Sequence, residues 1–288
     1  MRVILERAIE RPILVVRNPK VRVDIEVHSV FTRKRHRIAE VIRLARHRLD
    51  RRGFVKWRLS RDYGVGEQGP AKRHVWYTGE NLRPPEGWDV TLSFDVDSFG
   101  GSNFYLPHWA IRTGDLGFRD EMDAMSVGSE TFSRPRRVEA VPEKFACVVA
   151  SNPHPIRQVL VSALSQVGPV DGFGRAYNRP IESKARAIKD YKFCITPEND
   201  LYPGYVTEKP FEAWLAGTVP VWWGDDSLGF LDMNAVLNLH GQSLDDLLIQ
   251  LTSLHESESA WAQFASHRLL TKTYDYSALI GHLKEHLH

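Results

Sequence analysis

The fold is decided by residues 191–224, which read YKFCITPENDLYPGYVTEKPFEAWLAGTVPVWWG. Two apolar runs in this stretch, Lys192 to Thr196 and Val219 to Trp223, have the length and composition of buried strands. Between them, Glu208 to Ala216 reads as a helix that Gly217 ends. Strands that alternate with helices are typical of a parallel sheet, so this stretch predicts an α/β fold.

The same alternation continues on both sides of this stretch. Upstream, Phe145 to Ala150 predicts a strand and Pro155 to Val167 predicts a helix. Downstream, Ala235 to Leu239 predicts a strand, and Ser243 to Leu254 predicts a helix that opens with a Ser-x-x-Asp cap. Parallel sheets of this kind bind ligands beyond the carboxyl ends of their strands, so the chemistry is expected in the residues that follow each strand.

The upstream half of the chain is organised differently. Asp89 to Phe94 alternates like a strand, and residues 13–27 contain two further strand candidates. From about residue 115 to residue 141 the chain is polar and rich in Arg, Glu, Ser and Pro, which is typical of a connection between domains. We therefore predict an N-terminal domain at residues 1–140 and a C-terminal domain at residues 141–288.

The composition indicates an ordinary globular protein. Its 288 residues are 42% hydrophobic and 26% charged, and the formal net charge of +2 does not indicate any particular class of binding partner. Cys147 and Cys194 both fall in runs that read as buried strands, which excludes a disulfide framework and predicts a reducing compartment. No apolar run approaches the roughly 18 residues of a membrane span, so we expect a cytoplasmic protein.

The segment from residue 32 to residue 52 carries the strongest charge run. Apolar residues recur in it at helical spacing among many arginines, which predicts a basic amphipathic helix. One interpretation is the solvated face of a domain helix, and another is peripheral contact with an anionic surface at the inner membrane face. No nucleic acid partner is expected, because aromatic side chains that would stack on bases are not interleaved with the arginines.

Three loops that follow predicted strands contain clusters of polar residues. They are Ser151-Asn152-Pro153-His154, Glu198-Asn199-Asp200 and Tyr205-Val206-Thr207-Glu208-Lys209. Two of the loops open helices, whose N-terminal amides bind anions, and Arg157 and Lys209 add cations that suit a diphosphate. A Glu and an Asn nearby suit the vicinal hydroxyls of a ribose or sugar. Each loop alone could simply cap a helix, but the three together at one sheet edge favour a nucleotide-sugar site.

Other patterns carry less information. Asp95-Val96-Asp97 offers two carboxylates that could hold a divalent metal, a combination that is common by chance. Gly172-Phe173-Gly174 lacks the third glycine of a dinucleotide fingerprint. His108, His154 and His240 are isolated in the sequence, and we interpret them as ordinary surface or core histidines.

Several long motifs resemble one family of transferases. Residues 191–199, 204–209 and 216–224 closely resemble the signature of the α-1,3/4-fucosyltransferases, glycosyltransferase family 10. Residues 150–157 resemble the first donor-domain loop of this family, and residues 77–84 with 93–95 resemble its acceptor-domain motif. The resemblance covers roughly residues 76 to 254, with the motifs in family order, and it is to bacterial-type members, because no membrane anchor is expected.

The resemblance implies two facing Rossmann-like domains in the GT-B arrangement, with the active site in the cleft between them. It also implies an inverting transfer of L-fucose from GDP-β-L-fucose to a hydroxyl of an acceptor glycan, in α-1,3 or α-1,4 linkage. Inversion needs one in-line displacement with a general base, and the base of the family corresponds to Glu80. No cofactor is expected to be essential, and a divalent metal would at most be stimulatory, because cations of the protein neutralise the diphosphate.

The resemblance also assigns contacts to the donor. The residues concerned are Arg157 and Lys209 for the phosphates, Glu208, Asn199 and Tyr205 for the ribose, base and fucose, and Lys192, Ser151 and Asn152 at the rim. Two alternatives remain open at this point. One is an inverting transferase that uses another GDP-hexose, and the other is a non-catalytic relative that binds a sugar nucleotide or a glycan.

Overall fold

The structure is a computed structural model that describes residues 2–10, 13–15, 23–29, 55–60, 71–84, 86–116 and 125–287. The chain forms two compact units, one of Met1–Leu106 with Asp275–His288 and one of Pro107–Tyr274. The predicted boundary between residues 140 and 141 therefore falls inside the second unit.

The basic segment predicted at residues 32–52 lies outside the described residues, so its helix and its membrane contact stay predictions. Among the helices that the structure describes, none combines the length and the apolar character that a membrane span requires.

The first unit is built on a parallel sheet. Its described elements begin with α1 (Arg2–Ile9), β1 (Ile13–Val15), β2 (Val23–Ser29) and β3 (Val55–Ser60), and continue with β4 (Ala71–Tyr77), β5 (Val90–Ser93) and β6 (Asn103–Tyr105). The strand order is β1-β3-β2-β4-β5-β6, and neighbouring strands pair in parallel. The strands predicted within residues 13–27 and at Asp89 to Phe94 are confirmed.

The chain ends in the first unit. The C-terminal helix Tyr276–Leu287 packs against α1, and Lys284 forms an ion pair with Glu10. Leu279 and Leu283 of this helix are fully buried. These contacts assign residues 275–288 to the unit that contains the N-terminus, which the sequence did not predict.

The second unit contains the strand–helix alternation. Its elements are α2 (His108–Arg112), β7 (Lys144–Val149), α3 (Pro155–Leu164), β8 (Val170–Phe173), α4 (Lys184–Ile188), β9 (Tyr191–Ile195), α5 (Lys209–Leu215), β10 (Val219–Trp222), β11 (Leu237–Asn238), α6 (Leu244–Glu256) and α7 (Glu258–Ser266). The strand order is β11-β10-β9-β7-β8, again with parallel pairing. The predicted α/β class is confirmed, while β8 and α4 were not predicted.

Helices cover both faces of the second sheet. Phe193 of β9 packs in one cluster with Leu160 of α3 and Leu247 of α6, whereas its neighbour Cys194 packs in another cluster with Ala213 of α5. Because each face meets a helix layer, successive residues of β9 must all be apolar or buried. This is why the strands appear in the sequence as continuous apolar runs.

The polar segment at residues 115–141 does not separate the two units. Just before it, Trp109 of α2 is fully buried and stacks on Phe211 of α5, with ring centroids 4.9 Å apart. Near its end, Arg136 donates from Nη2 to the carbonyl oxygen of Thr218 at 3.1 Å and from Nη1 to a carbonyl of the last turn of α5. Arg136 therefore attaches the described end of this segment to the second unit in spite of its polar composition.

Candidate functional site

A cavity of about 610 Å³ opens at the carboxyl edge of the sheet in the second unit. Its walls come from the loops after β7 and β9 and from the first turns of α3, α4 and α5. The predicted site residues that line it are Ser151, Asn152, Arg157, Asn199, Glu208 and Lys209. The structure thus brings together residues from all three of the loops that the sequence singled out.

The first wall is the loop after β7 together with the start of α3. The helix begins at Pro155, and its N-cap His154 makes no side-chain capping hydrogen bond. The amides of Ile156 and Arg157 lie in the first turn, where no intrahelical acceptor reaches them, so they are donors for an anion. Arg157 donates from Nη1 to the carbonyl oxygen of Asn152 at 2.7 Å, which links the guanidinium to the loop. Burial lowers the pKa of Arg157, which remains a cation at neutral pH.

Gly174 allows the loop after β8 to approach the loop after β7. Its φ is 89°, and a Cβ atom at this position would lie 2.3 Å from the carbonyl oxygen of Ala150. The next turn is tied to the same carbonyl, because the amide of Ala176 donates to it at 3.1 Å. The Gly-Phe-Gly pattern therefore serves close packing of two loops.

The second wall contains a buried ion pair between Glu198 and Lys209. Lys209 Nζ donates to Glu198 Oε2 at 2.6 Å, and Thr207 donates to the same carboxylate from both its amide and its hydroxyl. Trp222 Nε1 donates to Oε1 at 3.3 Å. Burial disfavours the charged amine of Lys209, but the charges of Glu198 and Glu208 outweigh this effect and raise its pKa. The lysine is therefore a fixed cation at the cavity wall.

Glu208, at the N-cap of α5, pairs with a histidine that the sequence analysis treated as isolated. His108 Nδ1 and Glu208 Oε2 lie 2.7 Å apart. Burial opposes ionisation of the Glu208 carboxyl, but the hydrogen bond and charge of His108, together with Lys209 and Lys184, hold its pKa well below its usual range. His108 is isolated in the sequence but not in the structure, because two segments 100 residues apart meet at this contact.

Glu212 forms the next layer of the same wall. Lys184 Nζ donates to Glu212 Oε2 at 2.6 Å, and Arg112 Nη2 donates to Oε1 at 3.2 Å. Burial disfavours the charge of Lys184, but Glu212 outweighs it and raises the pKa of this lysine. Lys184, Glu212 and His154 line the cavity and were not predicted as site residues. The spacing of Glu208 and Glu212, one helical turn apart, was a signal that could have identified Glu212.

Two predicted donor residues are placed away from the cavity lining. Lys192 is buried near the amino end of β9, and its Nζ donates to the carbonyl oxygen of His255 at 3.0 Å, in the last turn of α6. It therefore stabilises a helix C-terminus at the opposite end of the strand from Thr196. Tyr205 is 1% exposed and does not line the cavity. The expectation that Lys192 lies at the rim is corrected by its position at the amino end of the strand.

Glu80, the predicted general base, lies in the first unit in the turn after β4. The turn is shaped by Thr78, whose hydroxyl accepts a hydrogen bond from the Glu80 amide at 3.0 Å. Glu80 itself is exposed, while Thr78 is fully buried. The backbone of Glu80 is therefore held in place, and its carboxylate reaches solvent.

The Asp95-Val96-Asp97 pattern belongs to the same region. Asp95 pairs with Arg83 at 3.2 Å and also accepts the amide of Asp97 at 3.1 Å. Asp97 in turn accepts the amide of Phe99 at 2.8 Å. These carboxylates therefore organise turns. Within the described residues, no group of three or more His, Cys, Asp or Glu side chains is arranged to hold a metal ion.

The comparisons with known proteins agree with this geometry. Residues 141–282 match the family profile described as glycosyltransferase family 10 (fucosyltransferase) C-term. The chain is 30% identical over 220 residues to the alpha-(1,3)-fucosyltransferase FucT of Helicobacter pylori, covering 66% of this chain and 46% of that protein. It is 34% identical over 149 residues to the human 4-galactosyl-N-acetylglucosaminide 3-alpha-L-fucosyltransferase 9, covering 49% and 41% of the two chains.

Solved structures of an alpha1,3-fucosyltransferase share the fold. The structure with GDP-fucose superposes with a TM-score of 0.62 at 19% identity, covering 99% of this chain and 97% of the other. A second structure of an alpha1,3-fucosyltransferase superposes with a TM-score of 0.66 at 19% identity, covering 99% of this chain and 96% of the other. The predicted GT-B fold class is thereby confirmed.

The chain spans less than half the length of the curated relatives it matches, with 46% of the Helicobacter pylori protein and 41% of the human protein covered. The matched part contains the cavity and the loops that carry Arg157, Glu208 and Lys209. By these matches, residues 141–282 resemble the C-terminal domain of glycosyltransferase family 10, the fucosyltransferases.

Proposed function

We propose that this protein transfers L-fucose from GDP-β-L-fucose to a hydroxyl of an acceptor glycan, in α-1,3 or α-1,4 linkage and with inversion at the anomeric carbon. The observation that carries the proposal is the cavity of the second unit, in which Arg157 and Lys209 lie with the carboxylate of Glu208. Similarity to the fucosyltransferases supports the choice of donor, since one similar solved structure is named with GDP-fucose and another with GDP.

The cations of the cavity suit a diphosphate. Arg157 can offer two parallel donors to phosphate oxygens, and the first-turn amides of α3 add further donors beside it. Lys209 keeps its charge through Glu198. Both cations would bind the leaving GDP more strongly as negative charge develops on it, which lowers the barrier to transfer. Because these side chains already offset the charge of the diphosphate, we propose that no divalent metal is essential.

The polar groups of the cavity suit the sugars of the donor. Carboxylate and amide oxygens accept hydrogen bonds from vicinal hydroxyls, and Glu208 and Asn199 supply them in the cavity wall. Ser151 and Asn152 line the same cavity and offer shorter polar contacts. We assign Glu208 and Asn199 together to the hydroxyls of the ribose and the fucose.

We assign the general base to Glu80. An inverting displacement needs one carboxylate that removes the proton of the acceptor hydroxyl while the diphosphate leaves from the opposite face. Glu80 is an exposed carboxylate on a backbone that Thr78 holds, and it lies in a motif that resembles the acceptor-domain motif of the family.

A turnover assay tests the proposed function. The purified chain is incubated with GDP-fucose, with N-acetyllactosamine or a simple hexose as acceptor, and with a chelator. GDP release and product mass are followed together. We expect GDP release with a product heavier by one fucose. Turnover with GDP-mannose and none with GDP-fucose would contradict the donor, and GDP binding without any release would favour a non-catalytic binding protein.

A further inference from the structure

The contact between His108 and Glu208 joins two helices of the second unit. His108 is the first residue of α2, and Glu208 is the N-cap of α5. Their side chains are 18% and 20% exposed, and Nδ1 and Oε2 lie 2.7 Å apart. A contact this short between two partly buried groups needs both side chains to be held by their surroundings.

The packing of α2 against α5 holds them. His108 and Arg112 lie one turn apart on α2, and they pair with Glu208 and Glu212, which lie one turn apart on α5. Between these two contacts, Trp109 stacks on Phe211 with ring centroids 4.9 Å apart. The imidazole is therefore positioned by the packing of α2 on α5.

The hydrogen bond uses only one of the two carboxylate oxygens. A carboxylate accepts hydrogen bonds and does not donate them, so Nδ1 of His108 carries the hydrogen. Among the described residues, Oε1 of Glu208 accepts no hydrogen bond, and Glu208 lines the cavity. One oxygen is thus held by the histidine, and the other is available to a ligand hydroxyl.

We propose that His108 is a positioning residue for the donor, which orients the Glu208 carboxylate so that its second oxygen accepts a hydrogen bond from a sugar hydroxyl of the nucleotide sugar. This inference rests on the proposed function. It assigns a role in donor recognition to α2, a helix that lies outside the residues that match the family profile.

Substitutions at position 108 test this role. His108→Ala removes the imidazole N–H that donates to Glu208. The KM for GDP-fucose is expected to rise about tenfold, because a hydrogen bond to a charged group is lost, while kcat stays within about twofold of the wild-type value. In His108→Asn, the amide nitrogen occupies nearly the position of Nδ1, so KM is expected to return close to the wild-type value. In His108→Gln the amide is displaced by one bond, and KM is expected to resemble that of His108→Ala.

A matched control and a double-mutant cycle separate positioning from general stability. His240 faces Asp225 at 3.8 Å outside the cavity lining, and His240→Gln is expected to leave KM unchanged. In a Glu208→Gln background, His108→Ala should change KM by less than twofold, because the group that it orients is already altered. Additive effects, or equal KM values for His108→Asn and His108→Gln, would overturn the proposal.

The outcomes also separate this inference from the proposed function. Thermal melts are recorded for each variant, and if His108→Ala does not fold, the comparison of the Asn and Gln variants decides. If the wild-type chain releases no GDP from GDP-fucose, the proposed function fails. If the wild-type chain turns over GDP-fucose and KM is unaffected at position 108, only the role of His108 fails.

Discussion

Glu198 is fully buried and forms an ion pair with Lys209, which lines the cavity. The carboxylate is 0% exposed, its Oε2 atom lies 2.6 Å from Lys209 Nζ, and its remaining acceptor capacity is used by Thr207 and Trp222. A carboxylate so fully engaged does not contact a ligand. Its role is to keep a lysine charged and oriented in a wall where burial alone would favour the neutral amine.

Glu198→Gln is expected to lower the free energy of unfolding by about 3 kcal/mol, because Lys209 then stays buried without its counter-charge. Urea denaturation followed by circular dichroism measures the change. The control is Glu130→Gln, which removes an exposed pair with Arg134 and is expected to cost less than about 0.5 kcal/mol. Equal losses in the two variants would contradict the assigned role of Glu198.

Removal of either cavity cation should slow transfer. Arg157→Met and Lys209→Met are each expected to lower kcat/KM for GDP-fucose by about 100- to 1,000-fold, because each removes a charge that we propose stabilises the leaving diphosphate. Arg268→Met, which disrupts a pair with Asp232 outside the cavity lining, is the control. A loss below about tenfold in both cavity variants would argue against diphosphate binding at this wall.

Glu80→Gln is expected to lower kcat by at least about 100-fold while the dissociation constant for GDP changes less than about twofold, because the proposed base would act on the acceptor proton and not on the nucleotide. Steady-state assays and isothermal titration calorimetry with GDP measure the two quantities. Glu86→Gln changes another exposed carboxylate of the same unit and serves as the control. Wild-type turnover by Glu80→Gln would refute the assignment of the base.

Gly174→Ala is expected to destabilise the protein by about 3 kcal/mol, because a side chain at a φ of 89° would also collide with the Ala150 carbonyl 2.3 Å away. Gly241 has a similar φ of 85° but open space around its Cβ position. Gly241→Ala should therefore cost only about 1 kcal/mol. Urea denaturation measures the loss of unfolding free energy in the two variants. Equal losses would show that the close approach of Gly174 to the Ala150 carbonyl adds nothing to the effect of the positive φ.

The Glu208 carboxyl should contribute to acid sensitivity. Its pKa is lowered in the folded protein, where burial opposes the shift and His108 with nearby lysines outweighs burial. The unfolded chain therefore binds this proton more tightly, so the stabilisation is complete above the unfolded pKa and is lost as the pH falls through the folded pKa. Between neutral pH and acid, Glu208→Gln should show a shallower fall in unfolding free energy than the wild type. Parallel curves for the two proteins would contradict this prediction.

Local patterns in the sequence were sufficient to predict many of the strands and helices of the second unit. Strands buried on both faces must be apolar at successive positions, so β7, β9 and β10 could be predicted without knowledge of their neighbours. The cap of α6 was equally local, since Ser243 accepts the amide of Asp246 three residues away. The polar loops after these strands then had to meet at one edge, because parallel strands share their carboxyl ends.

The tertiary structure alone decided which polar side chains serve the cavity. Lys192 and Lys209 are both lysines near strand or helix ends, yet one reaches the carbonyl of His255 and the other reaches the cavity. His108 has no local signal, and its contact with Glu208 arises only because α2 packs on α5. Contacts between segments 100 residues apart depend on how side chains interdigitate, and the spacing of residues along the chain does not encode that directly.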